Sequence, residues 1–141
     1  MTTVPEPSIF TKIINREIPA DIVYEDDVVI AFLTIEPVNP GHTLVVPKTP
    51  FNNVFDGDER TMGQMMAVAQ KIAHALVDSN LGGGVNLIMN NGIEAGQEVF
   101  HAHMHVIPRN NGDKAIQIPH DKTYPEGEST EVAEQIRQNL N

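Results

Sequence analysis

Eight consecutive residues restrict this chain more than any others: Phe100-His101-Ala102-His103-Met104-His105-Val106-Ile107. On a strand, successive side chains point to opposite faces. Phe100, Ala102, Met104 and Val106 then share one face, which suits a core. His101, His103 and His105 share the other, each about 6.7 Å from the next. Residues 99–107 are therefore predicted to be a strand with one packed face and one face of imidazoles. A solvated polar strand face is the plainer reading, but three histidines in register are hard to explain by packing.

The rest of the chain supplies what such a strand needs. Ser8 stands at an N-cap position before apolar residues at 9, 10, 13 and 14, a short amphipathic helix that Pro19 ends. Residues 22–25, 28–34 and 42–46 read as strands. A turn at Glu25-Asp26-Asp27 and breaks at Pro37, Pro40 and Gly41 separate them, and Pro47 closes the third. Asp56 with Glu59 three residues later resembles a capping box. Behind it Met62, Met65, Met66, Ala69, Ile72, Ala73 and Leu76 recur at helical spacing, which predicts a long helix over 58–79 with its methionines in the core. His74 falls off that stripe and is expected in solvent. Gly82-Gly83-Gly84 ends the helix; no Gly-Lys-Ser/Thr follows, so it is not a phosphate loop. A fourth strand is predicted over 85–89, a polar glycine-bearing loop over 90–96, an irregular segment over 108–125 and a C-terminal helix over 131–140, with Val132, Ile136 and Leu140 on one face. The order implies an α+β fold: an antiparallel sheet carrying one long helix on one face.

Composition closes off several functions. The chain has 141 residues, room for one domain over 8–141 after a loose tail at 1–7. It has no cysteine, which excludes disulfides and thiolate zinc sites. A net charge of −10 makes it a poor binder of nucleic acid or anionic membrane, neither of which is expected as a partner. No apolar run reaches the ~18 residues of a membrane span, and residues 1–7 carry neither a basic cluster nor an apolar stretch. A soluble cytoplasmic protein is the expectation.

Taken alone, the three imidazoles admit two chemistries. They can hold a metal ion. Or one can attack phosphorus while the others donate hydrogen bonds to phosphate oxygens. The loop before the strand favours phosphate, since Gly92 and Gly96 let backbone N–H groups approach an anion.

His101-Ala102-His103-Met104-His105-Val106-Ile107 resembles the His-φ-His-φ-His-φ-φ signature of the histidine triad (HIT) superfamily of nucleotide hydrolases and transferases, in its bacterial branch. The likeness runs in order from about residue 8 to 109. It includes Ile9–Ile14, Ile18-Pro19-Ala20, Tyr24–Asp27, Pro40–Lys48, Asn90-Asn91-Gly92 and Ala95–Phe100. It implies a homodimer with five antiparallel strands per subunit, a purine nucleotide substrate, no cofactor, and a covalent nucleotidyl-histidine intermediate. Carried over by position, His103 is the nucleophile and His105 contacts the phosphate, while His101 and His42 support the site. Asn90, Gly96, Gln97 and Glu98 take the phosphate side. Ile9, Phe10, Ile13, Phe32, Ile35 and Leu44 form the apolar wall around base and ribose.

Three departures qualify this assignment. Many bacterial relatives carry Cys-x-x-Cys where this chain has Ser8 and Thr11, and His where it has Pro50; with the first triad histidine these form a structural zinc site. Their loss predicts no metal here and leaves His101 a free role. Thr34 stands where the family usually has Asp for the ribose hydroxyls. A hydroxyl cannot make a bidentate carboxylate contact, and losing a charged acceptor costs about 1.5–3 kcal/mol of binding. Glu98 stands where the phosphoramidate-cleaving branch has Ser. It is either an acid for the leaving group or, as preferred here, an outward-facing carboxylate whose backbone N–H does the work. The expected activity is cleavage of a P–N or phosphoanhydride bond at the α-phosphate. The alternatives are a nucleotide-binding regulatory module with little turnover and a metal-binding protein.

Overall fold

The computed structural model describes residues 7–140. Helix α1 (Ile9–Ile14) leads into strands β1 (Ile22–Glu25), β2 (Val29–Leu33) and β3 (Thr43–Pro47). Then come the long helix α2 (Glu59–Asp78), β4 (Gly84–Ile88), a 3-10 turn (Ile93–Ala95), β5 (Met104–Arg109) and α3 (Glu128–Asn139). The five strands form one antiparallel sheet in the order β1-β2-β3-β5-β4. This is the α+β architecture that the sequence predicts. The expected tail at 1–7 lies outside the described residues except for Pro7. No helix among the described residues is long and apolar enough to cross a membrane.

Alternation along the strands divides the interior in two. Val29, Ala31 and Val45 point to one face and pack with Met104 and Val106 against Met65, Val68, Ala69, Ile72 and Leu76 of α2. Ile30, Phe32, Leu44 and Val46 point to the other face and pack against Phe10 and Ile13 of α1. The short helix therefore covers the face opposite the long one. Its cap is the expected residue: the Ser8 hydroxyl oxygen accepts the Thr11 N–H at 3.0 Å.

Several boundaries move, each for a physical reason. The capping box predicted at Asp56 is not formed. Asp58 caps α2 by accepting the Thr61 N–H, while the Asp56 carboxylate accepts the N–H groups of Asn52 and Asn53 and folds the turn before it. Met65 is fully buried, but Met66 is 48% exposed, and Val68 takes the core position the methionine stripe was expected to fill. β5 begins at Met104 rather than residue 99, because its partner strands β3 and β4 offer ladder positions only from Met104 onward. His101 and His103 therefore precede the paired strand. The C-terminal helix starts at Glu128, and its apolar stripe is left outward: Ile136 is 56% and Leu140 70% exposed.

Candidate active site

The β3–β5 pairing decides where the histidines go. Leu44 stands opposite His105 and Val45 opposite Met104. Leu44 belongs to the α1 side, so His105 faces that side too, while Met104 turns to α2. Further back, Phe10 of α1 meets the His103 ring edge-to-face at 4.9 Å and the His101 ring at 5.6 Å. His103 and His105 are 5.1 Å apart between ring centroids, as are His42 and His105. All four predicted histidines thus gather on the α1 face. Gly41, at φ +99°, makes the turn that delivers His42, and a Cβ there would stand 2.8 Å from Leu76.

Main-chain groups, which cannot change their hydrogen-bonding role, fix the protons on three of these rings. His103 Nδ1 lies 2.8 Å from the His101 carbonyl oxygen, which only accepts. Nδ1 therefore carries the hydrogen, and Nε2 of neutral His103 is a bare lone pair. At His42, Nδ1 accepts the Val38 N–H at 3.0 Å. Its Nε2–H then donates to His105 Nδ1 at 2.8 Å. His105 must carry its own hydrogen on Nε2, where it can donate to a ligand. The arrangement offers one nucleophilic nitrogen beside one N–H donor.

Burial keeps these rings neutral. It is the leading cause in His42, His103 and His105, and each lies below the ordinary imidazole value. At His103 the bond to the His101 carbonyl opposes burial without overcoming it. His105 is pushed down to about 4 by burial, then by the neighbouring His103 and His42.

His101 is not free. It is fully buried, with Nδ1 2.6 Å from the Ser8 hydroxyl oxygen and Nε2 2.9 Å from the Pro47 carbonyl oxygen. It supports the site from beneath rather than facing a ligand.

The residues expected around a nucleoside come together. Ile9, Phe10, Ile13, Phe32, Thr34, Ile35 and Leu44 all line one apolar slot of about 130 Å³, with Ile18, Pro19, Ala20 and Leu33. Phe10 is the shared wall between slot and His103. The Thr34 hydroxyl oxygen accepts the Glu36 N–H at 3.3 Å, which leaves its proton to donate.

The phosphate-side residues divide. Asn90 lies two residues past the last β4–β5 pair, Ile88 with His105. Gly96, at φ +91°, closes the 3-10 turn in the left-handed region. Glu98 is exposed, and its N–H has no acceptor among the described residues. Gln97 does not present its amide outward. It is buried; its oxygen accepts from Asn53 and Gly92, and its NH₂ donates to the Asn52 and Val99 carbonyls. Its N–H goes to the Gly92 carbonyl. It is the brace that ties the loop to the 52–56 turn.

Sequence reasoning missed that turn as part of the site. Asn91 accepts the Val54 N–H, and Ala102 N–H donates to the Phe51 carbonyl at 2.7 Å. The cluster Asn52-Asn53 with Asp56 was the available signal, a pattern that favours side-chain-to-backbone turns.

Comparison with known proteins agrees with this geometry. Residues 15–112 match the HIT domain. The chain belongs to the HIT family. It is 46% identical over 105 residues to the purine nucleoside phosphoramidase of Escherichia coli K12, covering 72% of this chain and 87% of that protein. The crystal structure of a HIT family member from Bacillus subtilis superposes with a TM-score of 0.88 at 39% identity, covering 96% of this chain and 99% of that one. A Zn-bound histidine triad family protein from Mycobacterium smegmatis superposes with a TM-score of 0.75 at 34% identity, covering 95% and 98%.

A stability prediction follows from the imidazoles of this HIT protein. A base whose folded pKa is depressed is neutral when native, whereas the unfolded chain takes up a proton near 6.5. The contribution of His105 is therefore complete above pH 6.5 and is lost as pH falls to about 4. Urea unfolding between about pH 6.5 and 4.5, above the range where Glu25 protonates, should show stability falling with acidification. His105→Gln should flatten that slope by up to about 1.4 kcal/mol per pH unit. An unchanged slope would place the proton uptake elsewhere.

Proposed function

We propose that this protein cleaves a P–N or phosphoanhydride bond at the α-phosphate of a purine nucleotide by way of a nucleotidyl-His103 intermediate. The observation that carries the reading is the bare Nε2 of His103 beside the Phe10 wall of an apolar slot. A base inserted in that slot brings its 5′-phosphate toward the imidazoles. The likeness to a purine nucleoside phosphoramidase supports the same substrate class.

In the first step the His103 Nε2 lone pair attacks the α-phosphorus. The bond to the leaving amine or phosphate breaks, and the leaving group takes a proton from solvent. His105 Nε2–H donates to a non-bridging oxygen as charge builds there. The N–H of Glu98 adds a second donor, with its carboxylate turned outward. In the second step water attacks the same phosphorus and gives up a proton to solvent, the P–N bond to His103 breaks, and the nucleoside monophosphate leaves. His103 regains its lone pair. Phosphoryl-type transfer asks mainly for positioning and charge stabilisation, and neutral N–H donors in a partly dry cleft supply both.

We also propose that the working unit is a homodimer in the cytoplasm. The unburied stripe of α3, with Ile136 and Leu140 outward, and the open edge of β4, with Leu87 40% exposed, support it.

Steady-state cleavage of adenosine 5′-phosphoramidate in EDTA tests the chemistry. Wild type should turn over, and His103→Ala should lose about three or more orders of magnitude. Binding without turnover in the wild type would instead identify a nucleotide-binding module. With only a hydroxyl proton at Thr34, ribonucleotide and 2′-deoxyribonucleotide affinities, read by calorimetry, should differ by less than about tenfold. A larger ratio would require an acceptor for the ribose hydroxyls elsewhere. Sedimentation equilibrium should return twice the 15.5 kDa chain mass; a monomer at working concentration would remove the dimer.

A further inference from the structure

The HIT resemblance sets a structural zinc ion at Ser8, Thr11, Pro50 and His101, and the residues present do not fit one. Two of them are neutral hydroxyls, and both His101 nitrogens already have partners. Among the described residues no group of three or more His, Cys, Asp or Glu side chains is placed to hold a metal.

What occupies the place is a directed hydrogen-bond chain. The Pro47 carbonyl only accepts, so His101 carries its hydrogen on Nε2. With its hydrogen on Nε2, the buried ring accepts at Nδ1 from the Ser8 hydroxyl at 2.6 Å. Ser8 has one proton to give. Its contact with the Thr11 hydroxyl at 3.1 Å is therefore donated by Thr11. The order is Thr11 O–H to Ser8 O–H to His101, then His101 Nε2–H to Pro47. Each bond in such a chain strengthens the next in a dry setting.

Resting on the proposed function, we infer that this metal-free clasp positions the nucleophile, with Ser8 and Thr11 as its positioning residues. The clasp fixes the His101 ring, and the His101 carbonyl is the group that fixes the proton and orientation of His103. The same Ser8 caps α1, whose Ile9, Phe10 and Ile13 wall the slot. One hydroxyl thus sets both the nucleophile and the base-binding wall, two settings that otherwise vary independently.

The test reads tautomers and kinetics together on the full chain. In long-range ¹H–¹⁵N spectra of ¹⁵N-histidine-labelled protein, wild-type His101 should be the Nε2–H tautomer, unmoved by equimolar Zn²⁺. Ser8→Ala should shift the His101 Nδ1 resonance, which loses its donor, while the Pro47 carbonyl keeps the Nε2–H tautomer. It should lower kcat about ten- to hundredfold and, through the lost α1 cap, raise KM as well. Ser8→Thr, which keeps the cap and the donor, should restore both. Thr11→Val removes the distal hydroxyl and leaves the cap oxygen in place. It should move the Nδ1 resonance and kcat in the same direction by less, with KM little changed, and it carries the test if Ser8→Ala does not fold. Stoichiometric zinc binding that shifts His101 would overturn the clasp, as would an unchanged His101 Nδ1 resonance and kcat in folded Ser8→Ala. If wild type turns over no nucleotide, the functional reading fails by itself, and the tautomer and zinc readouts still decide the clasp.

Discussion

The pairing of β3 with β5 is the constraint on which everything else in this molecule rests. Leu44 opposite His105 sets the imidazoles on the α1 face and the Met104–Val106 pair on the α2 face. Because side chains alternate with period two, a one-residue slip would exchange these sets. It would bury three polar rings against α2 and expose the apolar residues that hold the long helix. The burial that stabilises the fold therefore also selects the register that builds the site. Val45 and Val106, fully buried and fully apolar, are as much a part of the chemistry as the histidines they orient.

A second layer of order comes from groups that cannot titrate. An imidazole is ambiguous, since either nitrogen can carry the proton. Here the ambiguity is removed by one peptide N–H, at Val38, and two peptide carbonyls, at His101 and Pro47. From those three fixed points every ring acquires one tautomer, and the outcome is asymmetric: His103 offers a lone pair and His105 a proton. Burial then keeps His42, His103 and His105 neutral, so the asymmetry persists through the physiological range. The backbone acts here less as a scaffold than as the reference against which side-chain protons are placed.

Much of this was legible in the sequence, and what was not has identifiable causes. The α1 cap at Ser8, the bounds of β1 and the two faces of the triad segment could be read because each depends on local chemistry or on a short period, whereas the seven residues expected around a nucleoside came from the family resemblance. The start of β5 could not, because alternation shows that a segment is extended but not whether a partner strand reaches it. Asp56 and Asp58 both satisfy the pattern for a helix start, and only the fold of the 52–56 turn tells which carboxylate is taken. The inward turn of Gln97 and of His101 was hidden for the same reason. Which way a polar side chain turns depends on neighbours some 45 and 93 residues away in the chain, the Asn52 carbonyl and the Ser8 hydroxyl.

The acidity of the chain, at first sight unsuited to a phosphate substrate, is consistent with this design. With a net charge of −10 the long-range field repels an anion, but that field is screened within about 10 Å at ordinary salt. Inside the cleft the relevant charges are the partial ones on N–H groups, and their effect grows as water is excluded. Among the described residues no Lys or Arg lines the slot or contacts the rings of His42, His103 and His105. Three of the nine positive groups are committed elsewhere: Arg16 and Lys48 to Glu25, and Arg109 to Asp113. A site built from neutral donors binds a phosphate less tightly at rest than one built from cations. It also holds less of the charge that would have to redistribute in the proposed transfer through His103. Weak resting attraction, a dry slot for the base and one lone pair with a fixed direction together favour turnover over retention.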